Sequence, residues 1–338
     1  MILVTGGAGY IGSHLCVLLI EAGYTPVVID DLSNAHYSTI KAVESICGQP
    51  ILFYQGDIAD AQFVYGVMVR HNIGAVIHLA AKKAVEESIY DPLLYYDSNI
   101  KGIVNLLQVM EKVEVKSILY SSSATVYAPI AEDGIYSEND FLEPVNPYGW
   151  TKFMGERILY DMERTTSIIP GVLRYFNPVG AHNSGLIGEN PKGKPSNLMP
   201  LLAEVVAGKR EKLIIFGDDY DTVDGTAVRD FIHVMDVAAA HIRAIDILLE
   251  KKTPFTLNIG TGSGHSVKQI IESYERVNQI KLPVVMGKRR VGDVAKVYAN
   301  VNKANEIMGW VATRSLDDMC SDLHRWVMNQ CQLKDDRL

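Results

Sequence analysis

Tyr148 and Lys152 stand four residues apart behind Asn146-Pro147, a spacing that puts both side chains on one face of a helix whose first turn suits proline. A phenol of ordinary pKa is a poor base at neutral pH, and lowering it by about three units takes roughly 4 kcal/mol of differential stabilisation. An ammonium one turn away, with a further positive charge beside the ring, could supply terms of that order. Taken alone, the pair is as well explained by an ordinary amphipathic helix that contains a Tyr and a Lys. Ser121-Ser122-Ser123-Ala124-Thr125 changes that balance. It ends an apolar run that reads as a strand, and a hydroxyl at the carboxyl end of a buried parallel strand can hydrogen-bond both a reacting oxygen and the tyrosine. The chemistry these groups suit is removal of a proton from an alcohol coupled to hydride transfer.

A hydride needs an acceptor, and the amino terminus offers a place for one. Thr5-Gly6-Gly7-Ala8-Gly9-Tyr10-Ile11-Gly12 lies between an apolar run and a helical pattern. Gly6 can take the tight turn, Gly9 lets backbone approach a pyrophosphate, and Gly12 lets helix and strand pack closely. The helix amino terminus that follows presents unpaired N–H groups to phosphates. Asp30-Asp31, about 20 residues further on, can bind ribose hydroxyls, and no Arg or Lys follows until Lys41. Nothing local would hold a 2′-phosphate, so NAD is expected rather than NADP. Asp57 either touches the adenine edge or caps the helix beginning near Asp60; the residues alone leave both readings open.

The elements that must position these groups read as an α/β fold, a Rossmann-type doubly wound parallel sheet with a smaller carboxyl-terminal substrate lobe. Ile2–Thr5, Val27–Asp30, Ile51–Tyr54, Ala75–Leu79, Ser117–Ser121 and Gly171–Phe176 are short runs, apolar throughout as buried parallel strands should be. A helix is predicted over Ile11–Gly23. Asn177–Pro200 is too irregular for regular elements, and Gly217–Thr226 carries four aspartates. Val228–Val234 and Phe255–Ile259 look like strands that return to the sheet. The expected division is an NAD-binding domain over 1–176 with returning segments about 228–259, and a lobe from 177–227 and 260–338. The last residues, Lys334–Leu338, are expected to fray.

The chain has 338 residues, 48% of them hydrophobic, with 40 acidic against 32 basic side chains and a net charge of -8. That balance argues against a nucleic-acid coat or an anionic membrane partner. No apolar run approaches the roughly 20 residues of a membrane span, and the first residues lack the pattern of a signal peptide. Cys16, Cys47, Cys320 and Cys331 have no CxxC spacing. A cytoplasmic protein with neither disulfides nor a metal site is expected.

The glycine run with Tyr148-x-x-x-Lys152 resembles the extended short-chain dehydrogenase/reductase family. Ser121–Tyr127, Arg174–His182, Asn197–Pro200 and Val228–Val234 are similar to segments of the UDP-glucose 4-epimerases within it, over nearly the whole chain from Ile2 to about Trp326. The resemblance implies NAD held throughout turnover and a UDP-hexose as substrate, with Tyr148, Lys152 and Ser123 as catalytic groups. Lys152 would hold the nicotinamide ribose and depress the tyrosine pKa. It further implies that Gly6, Gly9, Tyr10, Ile11, Gly12, Asp30, Asp31, Asn34, Asp57, Ile58, Ala80, Lys83, Ser98, Tyr148, Lys152 and Phe176 line the cofactor. Lys83, Ser123, Tyr148, Asn177, Asn197, Leu198, Phe216, Arg229, Arg290, Asp293 and Val297 would meet the substrate. A homodimer paired through two helices of the NAD domain is implied by the same likeness.

Lys288-Arg289-Arg290 would by itself be a solvated charge run; followed by Gly292-Asp293, as in the family, it reads as a diphosphate site. Ser98 stands where the family has the first of two asparagines, with Asn99 keeping the second. Lys82, Ala128 and Trp150 also depart from the pattern, and Trp150 is expected to point away from the active face. Val297 lies where a tyrosine would restrict the pocket at the sugar 2-substituent, so N-acetylated UDP-hexoses are expected to fit, unless the register brings Tyr298 there instead. The competing readings are a nucleotide-sugar 4,6-dehydratase, a UDP-glucuronate decarboxylase and a non-enzymatic NAD-binding regulator. A dehydratase needs an acid beside the serine, where this chain has Ala124-Thr125.

Overall fold

Runs that are apolar at every position must be buried on both faces, and the computed structural model, which describes residues 1–193, 195, 197–290 and 293–335 with backbone only for 333–335, buries them that way. β1 (Ile2–Thr5), α1 (Tyr10–Glu21), β2 (Pro26–Asp30), α2 (Tyr37–Cys47), β3 (Leu52–Gln55), α3 (Ala61–His71) and β4 (Ala75–His78) alternate along the chain. Short helices α4 (Val85–Tyr90) and α5 (Pro92–Tyr95) then lead through a π-helical turn at Tyr96–Ile100 into α6 (Lys101–Lys112). β5 (Ser117–Ser123), β6 (Ile135–Tyr136), α7 (Pro147–Thr165) and β7 (Ile169–Tyr175) complete the first half.

The second half contributes β8 (Asn177–Val179), α8 (Leu198–Val206), β9 (Leu213–Phe216), β10 (Val228–Arg229), β11 (Phe231–His233), α9 (Val234–Lys251) and β12 (Phe255–Ile259). It closes with β13 (His265–Ser266), α10 (Val267–Asn278), β14 (Val284–Gly287), β15 (Lys296–Ala299), α11 (Asn302–Met308) and α12 (Leu316–Asp335).

The main sheet has seven strands in the order β12-β7-β5-β4-β1-β2-β3, and each neighbouring pair is parallel. Strand order reverses beside β1, which pairs with β2 on one side and β4 on the other. That reversal opens a crevice at the carboxyl ends of the strands. Ile2 and Val4 face one apolar cluster with α1 and α9, while Leu3 faces another with α3 and α6. The smaller lobe has its own core, formed by Met199, Leu202, Leu213, Tyr274, Leu323 and Trp326 among others.

Three expectations are corrected here. Phe255–Ile259 does join the sheet edge beside β7, but 228–234 does not. β10 pairs with β13 and β15 in a separate small sheet, and β11 pairs with β8. Asp230 between them is fully buried, its carboxylate taking N–H groups from Thr261, Gly262 and Ala299, so the chain is anchored in that sheet. The segment 177–200, expected to be irregular, contains β8 and the first turn of α8. At the far end, α12 continues through Lys334 to Asp335 instead of fraying; residues 336–338 lie outside those described.

Candidate active site

The glycine turn is built by close backbone approach. Gly6 has φ +73°, and a Cβ on it would lie 2.7 Å from the Ala80 nitrogen. A Cβ on Gly12 would lie 2.3 Å from the Gly6 carbonyl oxygen, so α1 can reach the turn only with glycine there. Gly9 precedes the first turn of α1, which no side chain caps. Its N–H groups and the positive end of the helix dipole are left for an anion. Asp30 holds this turn from β2: its Oδ2 accepts the Ala8 N–H at 3.0 Å and its Oδ1 the Leu32 N–H at 2.9 Å. Burial raises its pKa, against the pull of those two N–H bonds. Asp31 Oδ1 accepts the Ser33 N–H at 2.8 Å.

The rim of the crevice is tied down as well. Asn34 Oδ1 accepts the Lys192 N–H at 3.1 Å, and Lys192 Nζ donates to the Leu32 carbonyl at 2.6 Å. Lys83 Nζ pairs with Glu189 at 2.6 Å, 5.8 Å from the centroid of the Tyr10 ring. The Tyr10 hydroxyl donates to the Gly180 carbonyl at 2.7 Å. Ile11 is half-buried beside the turn, and Ile58 is buried in the core under the sheet edge. Asp57 is exposed, and its Oδ1 accepts the Ala59 N–H. It does not cap the following helix; Asp60 does, accepting from the Phe63 N–H at 3.0 Å. A glycine cradle too tight for a Cβ, an uncapped helix terminus and two carboxylates at the end of β2 together fit NAD, with Lys192 the one cation these contacts bring beside them.

The Tyr–Lys pair sits on the first turns of α7, whose start is set by Pro147 and by Asn146 accepting the Gly149 N–H at 2.8 Å. Lys152 is 4% exposed; its Nζ donates to the Ser121 carbonyl at 2.6 Å and lies 5.9 Å from the Tyr148 ring centroid. Ser123, last residue of β5, accepts from the Thr125 N–H at 3.2 Å and the Thr125 hydroxyl at 2.9 Å. The expected depression of the tyrosine pKa is not present in the chain by itself. Burial pushes the Tyr148 phenol up to about 12, opposed only by its hydrogen bond with Ser123. Lys152 is itself lowered to about 7 by burial, against the upward pull of Glu156. A lysine that sheds its proton near neutrality is a poor source of fixed positive charge.

The residues expected at the substrate gather on the lobe side. Arg229 on β10 is the register partner of Val297 on β15. Arg229 donates to the Val228 carbonyl at 2.8 Å and pairs with Asp293 at 3.2 Å. Arg290 stacks over Phe216 with its guanidinium carbon 4.2 Å from the ring centroid. Arg289 turns aside to Asp219 and stacks at 4.2 Å over Tyr220. Gly292 lies outside the described residues. Asn177 begins β8, its N–H donating to the Asp230 carbonyl at 3.0 Å, and Phe176 is buried just before it. Asn197 and Leu198 open α8, where the Asn197 side chain makes no cap bond.

Val297 packs against the cluster of Val126, Tyr127, Tyr136, Phe176 and Ala299. Tyr298 faces the other way, its hydroxyl donating to the Asp133 carbonyl at 3.0 Å, so the register puts valine, not tyrosine, on the Phe176 side. Trp150 packs edge-on against Phe153, with ring centroids 5.8 Å apart.

Some organising residues escaped the sequence reading. Ser98 lies half-buried in the π-helical turn, whereas its neighbour Asn99 is buried and does the tying. Asn99 Oδ1 accepts the Lys82 N–H at 2.8 Å, while its Nδ2 donates to the Lys82 carbonyl at 3.1 Å and to Thr151 Oγ1 at 2.9 Å. That latch joins the segment after β4 to the residue preceding Lys152. Glu189, Glu156 and Arg174 were also passed over. Of these, only Glu156 had a readable signal, one turn beyond Lys152.

The sequence profile of the GDP-mannose 4,6 dehydratase family matches residues 3–323. The UDP-glucose 4-epimerase of Bacillus subtilis is 47% identical over 326 residues, covering 96% of this chain and 96% of that protein. Among solved structures, the UDP-glucose 4-epimerase from Stenotrophomonas maltophila with bound NAD and formylated UDP-arabinopyranose superposes with a TM-score of 0.95 at 44% identity, covering 98% of this chain and 99% of that one. The UDP-glucose 4-epimerase from Bifidobacterium longum in complex with NAD+ and UDP gives 0.93 at 42% identity, covering 97% and 98%.

Proposed function

The chain belongs to the extended short-chain dehydrogenase/reductase family, and within it to the UDP-glucose 4-epimerases, and from that premise we infer an NAD-dependent isomerase that inverts C4 of UDP-glucose and UDP-galactose. The observation that carries the reading is the meeting of Ser123, Tyr148 and Lys152 at the carboxyl edge of β5, in the fold whose crevice takes a dinucleotide. The matching profile bears a dehydratase's name, but elimination of water needs an acid beside the serine, and Ala124-Thr125 supply none.

NAD, when bound, supplies the acceptor and then the donor of the C4 hydride. The glycine turn and the amino terminus of α1 hold its pyrophosphate. Asp30, Asp31 and Asn34 take the adenosine end, with Asp57 and Ile58 near the adenine. Ala80, Lys83, Ser98, Lys152 and Phe176 line the remainder. Tyr148 takes the proton of the sugar 4-hydroxyl and later returns it, and Ser123 hydrogen-bonds that oxygen throughout. Lys152 donates toward the ribose and shares its proton with Tyr148. The 4-keto sugar would turn over in the pocket between the removal and the return of that proton, presenting the opposite face of C4. Arg229, Arg290 and Asp293 bind and orient the diphosphate, with Asn177, Asn197, Leu198 and Phe216 around the uridine. This assigns 1–176 and the segment of α9 and β12, 234–259, to NAD, and 177–233 with 260–338 to the UDP-sugar.

Val297, smaller than a tyrosine at that place, supports room for a 2-acetamido group, so UDP-GlcNAc and UDP-GalNAc are proposed as further substrates. A homodimer is the proposed assembly. Exposed Ile89, Tyr90 and Leu93 on α4 and α5, with Met154 on α7, form an apolar surface suited to a second copy. A cytoplasmic setting agrees with four free cysteines, two of them buried. Among the described residues no helix is long and apolar enough to cross a membrane.

Proton NMR of the purified protein with UDP-galactose, without added NAD, tests the activity through the anomeric signals. Conversion to the gluco epimer is expected; no conversion, even with NAD added, would defeat the reading.

A further inference from the structure

Beneath the reacting groups lies a polar network that the proposed chemistry does not use. Glu156 and Arg174 are 0% and 2% exposed, on α7 and β7. Arg174 reaches Glu156 through Nε at 3.0 Å and Nη2 at 2.7 Å, a two-pronged contact. Glu156 also accepts the Ser122 hydroxyl at 2.5 Å. The other end of the guanidinium donates to the Tyr127 hydroxyl at 3.0 Å and the Glu138 carbonyl at 3.1 Å. Tyr127 in turn donates to Asn258 on β12 at 2.6 Å.

Fold stability gives little reason for such a pair, because apolar residues of similar volume commonly hold a buried site as well or better. Its placement gives another. Ser122 lies between Ser121, whose carbonyl takes Lys152, and Ser123, which bonds Tyr148. Glu156 lies one helical turn beyond Lys152. We propose that Glu156 and Arg174 are positioning residues for the epimerase reaction, clamping α7 to β5 and β7 so that Tyr148 and Lys152 meet Ser123 in register.

Charge supports the geometry. Glu156 opposes the effect of burial on Lys152, so the proton shared by Lys152 and Tyr148 is drawn toward the lysine and the phenol is left free to act as base. The other groups facing the pair are Tyr120 on β5, His78 on β4, Tyr95 on α5, and Tyr175 and Arg174 on β7. His78 is held neutral by burial, with its pKa lowered to about 3. Glu156 is therefore the anion that biases the proton.

The inference rests on the epimerase reading, and its test keeps the two apart. Glu156→Gln and Ser122→Ala are compared with the unaltered enzyme, NAD-loaded as purified. The readouts are kcat and KM for UDP-galactose across pH, the thermal midpoint, and the tyrosinate absorbance that Tyr148→Phe removes. Glu156→Gln is expected to lower kcat roughly tenfold to a hundredfold with KM little changed. It should also shift the acid limb of the rate profile to lower pH and reduce the Tyr148 tyrosinate signal at neutral pH. Ser122→Ala keeps both charges, so it should lower kcat less and leave that limb in place. A loss of thermal stability with an unchanged pH profile and tyrosinate signal would make the pair merely structural and overturn the proposal. If Glu156→Gln does not fold, an unchanged kcat in Ser122→Ala overturns it. The tyrosinate signal needs no substrate, so an unaltered enzyme inert toward UDP-galactose defeats the epimerase reading and leaves the clamp to be judged on that signal.

Discussion

Lys152 gives its ammonium to the carbonyl oxygen of Ser121 at 2.6 Å, two residues before the serine that bonds Tyr148. The pair's protonation follows from that burial. Lys152 is lowered to about 7 and Tyr148 raised to about 12, so the first proton leaves the pair near neutrality. Below that, ammonium and phenol are both protonated and no base exists. Above it the pair holds one proton, and the form with that proton on Lys152 has a phenolate at Tyr148. The rate should therefore fall about tenfold per unit as pH drops below the limb. A cation beside Tyr148 moves the limb lower still, which makes 7 its upper bound. A rate profile of UDP-galactose conversion from about pH 5 to about pH 8 checks this; an acid limb clearly above 7 contradicts it.

Tyr148→Phe removes the oxygen proposed to take the sugar proton while keeping the ring in its half-buried place. The expected loss in kcat is about 10²- to 10⁴-fold, the usual range for a general base. NAD content and thermal midpoint should stay close to those of the unaltered protein. A drop in kcat that tracks lost NAD would show instead that the hydroxyl serves the cofactor site.

Much of this was legible in the sequence because it is local. The turn at Gly6 to Gly12, the strand ending in Asp30, and a Tyr and Lys one helical turn apart each announce themselves within a few residues. What stayed hidden depends on partners far along the chain. Asn99 acts through Lys82 and Thr151, and Glu156 through Arg174 on another element. The placement of 228–234 was misjudged for the same reason. Its apolar pattern is that of a strand, but the buried Asp230, which anchors it away from the main sheet, takes its bonds from residues about 30 and about 70 positions away. The Tyr148 pKa also hangs on more than spacing: burial raises the phenol in the chain by itself, and the expected depression counted on the charge of a bound nicotinamide as well.

Asp30 serves the cofactor site twice, as a candidate ribose ligand and as the strut that holds Ala8 and Leu32 by their N–H groups. Asp30→Ala leaves both N–H groups without that acceptor, at a cost of about 1–3 kcal/mol for each buried donor left unpaired. The variant should purify with less NAD and a lower thermal midpoint. Asp31→Ala, which frees only the turn at Ser33, should lower NAD affinity with a smaller change in midpoint. Equal destabilisation by the two variants would remove the strut from the account.

Val297 and Tyr298 are adjacent on one strand, and alternation sends their side chains to opposite faces. Val297 packs toward Phe176 and Tyr127. The Tyr298 ring lies 3.2 Å from where a Cβ on Gly264 would sit, with its hydroxyl on Asp133. Only the first position can narrow a pocket on the Phe176 side. Val297→Tyr should abolish conversion of UDP-GalNAc while sparing UDP-galactose, because a hydroxyl at the sugar 2-position needs less room than an acetamido group. Tyr298→Phe, which loses one exposed hydrogen bond on the far face, should leave the ratio of the two rates unchanged. Both rates are read by NMR on the same preparations. An equal fall in both substrates for Val297→Tyr would mean that the tyrosine disturbs the Arg229 strand beside it, and the pocket would then have to be placed elsewhere.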